Sequence, residues 1–574
     1  MKIKGNWTLP TGIDSFRELR RRNKYYVDKT MIISEFIEYD EKVALITRPR
    51  RFGKTLNMTT LRDFFDNLQE NSDIFEGLAI MDTEYACQLG SRPTVYLTFK
   101  SCTGANMEAL KESIAHVMKG VYFEYEKIFD ENVNWESTDY YEFKKTVNAF
   151  KRLDDEDEAG VKYSISDSLV KRCLLVLVNT LAKYYQLPIL LLIDEYDQPL
   201  LEAHNRGFRK EFSEDLYGPF LGDALKGNES LGQSLITGIQ RVAKESIFSK
   251  LNNVAVYTVT NTRYATYFGL TEAETKLMLE DNGIVFTDEV KNYYDGYHIG
   301  GIDLYNPWSI VNYVKDKELA PYWINTSTNL LIRQLILNAT ESFNTDFENL
   351  ILNGSVDVTA NLEASFIELD TPATLWGLLI NAGYLTVVER FGLNDYSVRI
   401  PNYEVKGEFR SIVELYAGTG TDRLAPLFNA LFHKNMTRFM KMYQRLILEH
   451  VSFHDLPNDA DNKIAENSFH MLFLGMSISV SGMYKIKSNR ETGDGRSDIL
   501  MTSLQPEERP HIIIEFKQGE DLPKLATEAL EQIFNFRYYA EVTGQVLCIG
   551  ISHNKKKCEL VYQEIFVNEH REIV

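Results

Sequence analysis

The sequence has few of the features that mark secreted, membrane-spanning or zinc-binding proteins. Its 574 residues include only five cysteines, and none of them forms a CxxC pair. A zinc site or a disulfide framework is therefore not expected, and a reducing compartment fits. The longest apolar runs, such as 189–193, are far too short to span a bilayer, and the first residues lack the apolar core of a signal peptide. We expect a cytoplasmic protein that makes no membrane contact.

Positive charge is also scarce. The formal net charge is −20, because 62 Lys and Arg residues face 82 Asp and Glu residues. Neutralising phosphates supplies most of the affinity of a nucleic-acid binder, so this balance argues against a broad, non-specific DNA surface. Local basic clusters at 48–51 and 555–557 leave room for a basic groove or a recruited partner.

The chain is too long for one hydrophobic core, and its pattern changes along its length. Short apolar strand candidates alternate with helical patterns in the first half, which predicts a parallel sheet covered by helices. These candidates are 43–47, 94–99, 189–193, 234–236 and 254–259. Residues 300–430 are mostly helical with short strands, and 461–574 follow a helix–strand–strand–helix–strand pattern. We predict an α/β protein with three domains, at 1–290, 291–430 and 431–574.

A candidate phosphate-binding loop follows the first of these strands. In the pattern GxxxxGK[ST], backbone N–H groups cradle phosphates, the lysine reaches the β and γ phosphates, and the hydroxyl binds magnesium. The window 48–55 matches at its last three residues, whereas Arg48 takes the place of the first glycine. The strand before it and the helical stretch 56–68 after it are the right context. A basic turn with a chance Gly-Lys-Thr is the alternative. The residues predicted to bind nucleotide here are Arg50, Arg51, Phe52, Gly53, Lys54 and Thr55.

Two further strand ends carry polar residues that suit the same chemistry. The apolar run 189–193 ends in Asp194 and Glu195, as a Walker B strand does. Asp194 is expected to hold magnesium, directly or through water, and Glu195 to orient the attacking water. Thr237 ends a later strand as a candidate sensor of the γ-phosphate, and Arg241 is a candidate for neutralising transition-state charge. A solvated acidic turn and a surface arginine are the alternatives.

A second acidic constellation lies near the C-terminus. Magnesium-dependent phosphodiester hydrolysis needs acidic oxygens that hold the ion and a lysine that positions or activates water. Glu515 and Lys517 are two apart and so share one face of a strand, and Asp498 precedes the strand candidate 499–502. If the hairpin is symmetric about 506–507, Asp498 lies opposite Glu515, about 5 Å away and able to share a metal with it. A chance placement of charges on two strands is the alternative.

Other polar groups surround this constellation in the sequence. Glu466 is the chosen extra carboxylate from the preceding helix, with His470 on the same helical face, and a solvated helix glutamate is the alternative. Four more residues are candidates for contacting phosphate or facing the site, with salt bridges and packing as their alternative roles: Arg490, Arg496, Gln532 and Tyr538.

Together these motifs resemble a known bacterial family that joins an AAA-ATPase-like domain to a PD-(D/E)XK nuclease domain. The likeness covers nearly the whole chain, and the arginine-rich loop is similar to the family's own version of the phosphate loop. The resemblance implies an ASCE-type P-loop fold with ATP and Mg²⁺ as cofactors, a helical or winged-helix middle, and a C-terminal restriction-endonuclease-like α/β domain. It is carried by 26–30, 48–55, 192–197, 237–239, 243–248, 294–297, 321–327, 383–385, 401–402, 488–498 and 514–517.

Three functions remain open at this point. In the first, ATP binding or hydrolysis licenses a magnesium-dependent nuclease that acts on DNA or RNA. In the second, the chain is an ATP-dependent switch or scaffold whose nuclease fold binds nucleic acid or a partner without cutting, which the acidic net charge favours. In the third, it is an ATPase with an inert C-terminal domain. If Arg241 acts in trans, an oligomer follows, and if it acts in cis, a monomer suffices. Residues 26–30 are the candidate region for the adenine pocket.

Overall fold

The chain was analysed in a computed structural model that describes most of its residues. The described ranges are 7–132, 140–155, 163–241, 254–323, 354–362, 371–407, 421–450, 483–492, 495–554 and 557–574, with a few isolated positions between 340 and 350, at 409 and between 473 and 480. The contacts divide the chain into two compact units, one formed by Met1–Ile332 with Asp357–Glu404 and the other by Arg333–Val356 with Val405–Val574. The division at 290 and 430 stays a prediction.

The first unit is built on a parallel sheet of five strands, as the alternating pattern predicts. The sheet order is β2-β3-β4-β1-β5, so that β4 separates β1 from β3, and every neighbouring pair is parallel. All residues of β1 and β3 are buried, as expected for central strands covered on both faces. The strands are β1 (Val43–Thr47), β2 (Thr94–Thr98), β3 (Ile189–Asp194), β4 (Leu231–Gly238) and β5 (Val254–Tyr257).

Helices cover this sheet because their apolar residues recur at helical spacing. In the long helix Asp167–Tyr185, for example, Val170, Leu174, Leu177 and Leu181 all join the main core. The helices are α1 (Phe16–Arg21), α2 (Ile32–Tyr39), α3 (Lys54–Phe65), α4 (Ser72–Phe75), α5 (Met107–Asn132), α6 (Tyr141–Lys151), α7 (Asp167–Tyr185), α8 (Gln198–Asn205), α9 (Arg209–Glu211) and α10 (Gly218–Leu225). A π-helical segment, Phe212–Tyr217, and the 3-10 turns Ala79–Asp82, Glu84–Gln88 and Ala265–Tyr267 complete the set.

The rest of the first unit combines capped helices with two small sheets. Thr271, Asn306 and Thr371 cap the helices α11 (Glu272–Asp281), α13 (Pro307–Asp316) and α14 (Pro372–Ala382), and α12 is Asp288–Tyr294. One sheet has the order β6-β8-β7 and the other β10-β11-β9. Their strands are β6 (Leu270–Thr271), β7 (Tyr297–Ile299), β8 (Ile302–Tyr305), β9 (Ser355–Thr359), β10 (Thr386–Arg390) and β11 (Asp395–Arg399).

The second unit contains a mixed sheet in sequential order, β12-β13-β14-β15-β16, in which only β14 and β15 are parallel. Helix α17 (Leu522–Asn535) connects these two strands and covers one face, whereas α15 (Thr421–Phe432) and α16 (Met436–His450) pack on the other. The strands are β12 (Tyr484–Thr492), β13 (Gly495–Ser503), β14 (His511–Gln518), β15 (Gly544–Asn554) and β16 (Lys557–Val567). No described helix combines the length and the apolar character needed to cross a bilayer.

The polar residues at 488–492 form the second half of strand β12. Ser488 to Thr492 lie on β12 and pair with β13, for example Arg490 with Ser497 and Thr492 with Gly495. The segment lacks the apolar alternation by which strands are identified, and its backbone pairing comes from continuing the β12–β13 ladder. The two arginines predicted to contact phosphate, Arg490 and Arg496, therefore lie on strands, and the structure describes their backbone only.

Candidate functional sites

The phosphate loop turns directly from β1 into the N-terminus of α3. Gly53 precedes the helix in the left-handed region, at φ 82°, a conformation that glycine adopts without strain. Lys54 is 6% exposed, and its Nζ donates to the carbonyl oxygens of Arg48 and Pro49 at 3.0 and 2.9 Å. These bonds hold the ammonium group over the loop and use two of its three protons, which leaves one donor for a ligand.

One buried carboxylate joins three of the predicted site residues. Asp194 is fully buried, and its two oxygens accept hydrogen bonds from the hydroxyls of Thr55, at 2.7 Å, and Thr237, at 2.5 Å. The three residues meet because the carboxyl ends of parallel strands β3 and β4 lie beside the start of α3. Carboxylate and hydroxyl oxygens are the ligands that Mg²⁺ prefers, so this donor set fits a magnesium ion.

The residues after Asp194 fix the end of the neighbouring strand. Glu195 adopts a left-handed conformation, φ 53°, that is costly for a residue with a side chain. Burial raises the pKa of Glu195, while the nearby Lys54 ammonium lowers it. Asp197 accepts hydrogen bonds from the N–H groups of Ile239 and Gln240 at 2.8 and 2.9 Å. Sequence reasoning missed this role of Asp197, although the paired acids at 194–197 were the available signal.

Gly238 permits that close approach. A Cβ atom there would lie 2.7 Å from an Asp197 carboxylate oxygen and 2.7 Å from the Tyr196 ring. The predicted Arg241 follows three residues later, past the carboxyl end of β4, and it is partly buried. The hydrogen bonds from Ile239 and Gln240 to Asp197 therefore set where the chain leaves the sheet, and with it the backbone position of Arg241.

Arg48, which replaces the first glycine of the phosphate-loop pattern, is a structural clamp. Its side chain is fully buried, and its Nη1 donates to the carbonyl oxygens of Thr47, Tyr257 and Thr258 at 2.8, 3.0 and 2.9 Å. Burial lowers the pKa of Arg48 to about 9, so the group remains cationic at neutral pH. The guanidinium thus ties the start of the loop to the end of β5.

The other residues of the loop contact the second half of the same unit. The Phe52 side chain is fully buried and meets the Tyr297 ring edge-on at 4.9 Å. The Arg51 guanidinium lies 4.3 Å from the centre of the Trp308 ring. The backbone oxygen of Arg50 accepts a hydrogen bond from the Trp323 indole at 3.2 Å. These groups take part in packing. Because the Phe52 side chain is buried, only its backbone N–H is left for the predicted binding of nucleotide.

A buried acid holds Trp323 in place. Glu404 is fully buried, and its carboxylate accepts from the Trp323 backbone N–H at 2.8 Å and from the Ser309 hydroxyl at 2.8 and 3.0 Å. Burial raises the pKa of Glu404 to about 7. Gly383 approaches the loop from the same half, since a Cβ there would lie 2.8 Å from Pro49. The sequence offered no local signal for any of these contacts.

An apolar cleft of about 550 Å³ opens beside the start of α3. The segment 25–27, the loop residue Gly53 and the helix residues Leu56 and Asn57 line it, together with residues of α11 and α13. Lys29 at its wall is bonded to the Glu274 carboxylate at 2.6 Å. The cleft overlaps the region predicted for the adenine ring, and its mostly apolar lining suits the faces of a flat ring.

The carboxylates of the second unit meet across the β13–β14 hairpin. Ile499 pairs with Ile514, which centres the hairpin between residues 506 and 507, as the symmetric arrangement predicts. The Asp498 N–H donates to a Glu515 carboxylate oxygen at 3.1 Å, and the Phe516 N–H donates to Asp498 at 2.7 Å. Glu515 is 3% exposed.

The charge of the pair depends on burial and on Lys517. Burial raises the pKa of Asp498 to about 6, while the Phe516 N–H and the Lys517 ammonium lower it. Lys517 follows Glu515 by two residues on β14, and alternate residues of a strand lie on the same side of a sheet. The alternating residues Ile512, Ile514 and Phe516 belong to the core on the opposite side.

Helix α17 contributes a polar contact to the pair. The Gln532 amide donates to Glu515, and the same nitrogen lies 3.2 Å from the Tyr538 hydroxyl. The helix lies close to the sheet because Gly550, the strand partner of Glu515, has no side chain. A Cβ at Gly550 would lie 2.2 Å from the Ala526 carbonyl oxygen. Sequence reasoning named Gln532 and missed Gly550.

The described part of this site supplies two carboxylates. Among the described residues, no group of three or more His, Cys, Asp or Glu side chains is arranged to hold a metal ion. Glu466 and His470 lie outside the described residues. Asp498 and Glu515 still fit Mg²⁺, which proteins commonly bind through one or two carboxylates with substrate phosphates supplying further oxygens.

Family models match the two parts of the chain that contain these candidate sites. Residues 10–248 match a family model described as a predicted AAA-ATPase, and residues 464–563 match the PD-(D/E)XK nuclease superfamily. The chain is also similar to a protein described as an uncharacterized protein in the vnfD 5′ region of Azotobacter chroococcum mcd 1. The two are 26% identical over 417 residues, which cover 71% of this chain and 70% of that protein.

Proposed function

We propose that this chain, which carries an AAA-ATPase-like domain followed by a PD-(D/E)XK nuclease superfamily domain, binds and hydrolyses ATP in its first unit and cleaves nucleic acid with Mg²⁺ in its second. The observation that carries the proposal is the pairing of Asp498 with Glu515, since a buried acid and a partly buried acid on neighbouring strands cost stability unless a cation or a proton offsets them. Coupling of the two activities accords with their presence on one chain.

In the first unit, the phosphate loop and the Asp194 network supply the groups that phosphoryl transfer requires. The backbone of the loop and the remaining Lys54 donor bind phosphates, and Thr55 and Asp194 hold Mg²⁺, which neutralises phosphate charge. Glu195 orients water, and Thr237 reports on the γ-phosphate through its bond to Asp194. Arg241 neutralises transition-state charge. The apolar cleft at residues 25–27 takes the adenine ring.

In the second unit, Asp498 and Glu515 would hold Mg²⁺, and the bound ion would supply Lewis-acid polarisation of a phosphate oxygen and a more acidic water molecule. Glu466 is the third proposed carboxylate. Lys517 positions the water on the same face of β14, and Gln532 fixes the Glu515 carboxylate so that its second oxygen faces Asp498. Mutation of a residue that orients a metal ligand typically lowers metal affinity or activity 10- to 100-fold.

The test is cleavage of labelled DNA and RNA with Mg²⁺, with and without ATP, by the full chain. Asp498→Asn is the sharpest variant, because its amide oxygen still accepts from the Phe516 N–H while its negative charge is lost. We expect cleavage to fall at least about 100-fold, as for loss of a metal ligand. Glu528→Gln, on an exposed part of α17, is the matched control and keeps full activity. Equal activity of Asp498→Asn and the parent chain contradicts the proposal.

A second function is favoured by one observation. The chain carries a formal net charge of −20, which accords with a switch or scaffold that binds nucleic acid or a partner without cutting. Binding of oligonucleotides that depends on ATP, with no cleavage by the parent chain, supports this alternative. Lys54→Ala then tests whether the ATP dependence of oligonucleotide binding arises at the phosphate loop, since it removes the ammonium group from that loop.

A further inference from the structure

The turn after α17 presents an apolar ring and a cation to solvent. The helix ends at Asn535, and 43% of the Phe536 surface is exposed, although large apolar side chains are normally buried. Arg537 follows in a left-handed conformation, φ 53°, with an exposed side chain. Within the described part of the chain its guanidinium makes no ion pair. We call Phe536 and Arg537 the α17 turn.

The α17 turn is connected to the carboxylates through one ring. Phe536 stacks on Tyr538, with ring centroids 5.9 Å apart and planes 14° from parallel. Tyr538 is 2% exposed, and its hydroxyl lies 3.2 Å from the Gln532 nitrogen that also donates to Glu515. The charges of Glu515 and Asp498 both raise the pKa of Tyr538. The exposed ring therefore lies one stacked residue away from the carboxylate pair.

The position of the α17 turn distinguishes it from other exposed apolar residues. Phe566, on the edge strand β16, is 51% exposed but has no described contact with the residues around Asp498. At the α17 turn, an exposed aromatic ring and an exposed arginine are consecutive residues, and the ring stacks on the tyrosine that contacts Gln532 beside Glu515. A flat ring recognises the face of a nucleobase, and a guanidinium binds phosphate.

We propose that Phe536 and Arg537 bind an unpaired nucleotide of the nucleic-acid substrate, the ring stacking on its base and the guanidinium contacting its phosphate. This inference rests on the proposed nuclease function and adds a substrate class to it. Bases inside a duplex have both faces stacked on their neighbours and present none to a protein ring. The second unit therefore prefers single strands, or the frayed end of a duplex, over an intact duplex.

The test is binding of fluorescein-labelled 20-mers to the full chain in EDTA, where no magnesium-dependent cleavage occurs. The probes are single-stranded DNA, single-stranded RNA and blunt duplex DNA. Phe536→Leu keeps the apolar bulk and removes the aromatic face, and we expect it to weaken single-strand binding about 5- to 150-fold. Phe536→Tyr restores binding. Phe566→Leu, a similar change at an exposed ring on β16, leaves it unchanged.

The contribution of the Arg537 guanidinium is measured by the salt dependence of binding. Arg537→Gln is expected to lower the slope of log affinity against log salt concentration by about 0.7 for a single strand, the value of one lost phosphate contact. A fall confined to DNA or to RNA identifies the sugar of the substrate and supports the inference equally. Unchanged single-strand binding by Phe536→Leu, or an equal loss on the duplex, overturns it.

These outcomes are distinct from those of the cleavage test. If the parent chain cleaves but Phe536→Leu binds single strands as the parent does, the α17 turn is rejected and the nuclease proposal stands. If the parent chain binds single strands through Phe536 but does not cleave, the nuclease proposal fails and the binding site stands. If the parent chain binds none of the three probes, the α17 turn is rejected as a binding site, and the cleavage test alone decides the nuclease proposal.

Discussion

Replacing Arg48 by glycine restores the residue that the phosphate-loop pattern carries at its first position, and we expect this change to destabilise the first unit. The guanidinium is fully buried and donates to three carbonyl oxygens within 2.8–3.0 Å, of which two belong to the end of β5 and the residue after it. Glycine leaves those oxygens without a donor and leaves a cavity beside Phe268, which the guanidinium covers at 5.5 Å.

The magnitude follows from two opposing terms. Hydrogen bonds from a charged donor contribute about 1.5–3 kcal/mol each, but water entering the cavity satisfies part of the freed oxygens. Removing a buried charge also returns a desolvation cost, which is visible in the lowering of the Arg48 pKa to about 9. We therefore expect a net loss of about 2–4 kcal/mol in the free energy of unfolding.

Tryptophan fluorescence isolates the first unit in this assay. All five tryptophans of the chain lie within its bounds, so their emission during urea unfolding reports on that unit even though the whole chain does not unfold in one step. They are Trp7, Trp135, Trp308, Trp323 and Trp376. A loss of about 2–4 kcal/mol lowers the midpoint of unfolding by about 0.7–2 M urea, given a slope of about 2–3 kcal/mol per M.

Arg50→Gly is the matched control, because it makes the same change two residues further along the same loop. The Arg50 guanidinium has no hydrogen bond or ion pair among the described residues, and we expect a change of about 1 kcal/mol or less, from the flexibility of glycine. The stabilising role of Arg48 is refuted if Arg48→Gly unfolds at the same urea concentration as Arg50→Gly and binds ATP more tightly than the parent chain. In that case the Arg48 hydrogen bonds do not stabilise the first unit, and glycine serves the loop better than arginine.

Two further predictions test the same unit. Glu404 has a pKa of about 7 in the folded chain against an ordinary value of 4.5, so the folded state binds its proton more tightly and loses stability as the pH rises from 4.5 through 7. Glu404→Gln cannot ionise, so its stability relative to the parent should be about 2 kcal/mol higher at pH 8 than at pH 5 by tryptophan-monitored urea unfolding; identical pH dependence in both chains contradicts this. Thr237→Val keeps the side-chain shape but removes the hydroxyl bonded to Asp194. We expect the kcat of ATP hydrolysis to fall about 10-fold or more with ATP affinity within a few-fold, and an unchanged kcat removes Thr237 from the site.

Much of both sites could be predicted because strand geometry constrains them. Parallel strands bring their carboxyl ends to one edge, so a sequence that ends two strands in Asp194 and Thr237 and opens a helix with Thr55 predicts the observed network. An antiparallel hairpin is similarly defined by its turn. The polar residues around 506–507 between two apolar strands were enough to place Asp498 opposite Glu515.

The contacts that could not be predicted join residues with no pattern in common. A buried arginine at position 48 looks the same in the sequence as a phosphate-binding one, because the difference lies in whether carbonyl oxygens at 257 and 258 receive its donors. Gly550 gave no signal for a similar reason, since the need for it arises from the distance between α17 and the sheet. Neither hydrophobic periodicity nor motif spacing contains this information.

The backbone geometry of the phosphate loop depends on distant residues of the first unit. Its oxygens at 48 and 49 bond to Lys54 within the loop, whereas the oxygen of Arg50 bonds to Trp323, which Glu404 holds from a position more than 80 residues later. In a trans peptide the N–H points opposite to the carbonyl before it, so the Trp323 bond also sets the direction of the N–H that follows Arg50. Because loops at helix N-termini bind phosphates through such N–H groups, the geometry of the proposed nucleotide site depends on side chains that the loop sequence does not contain.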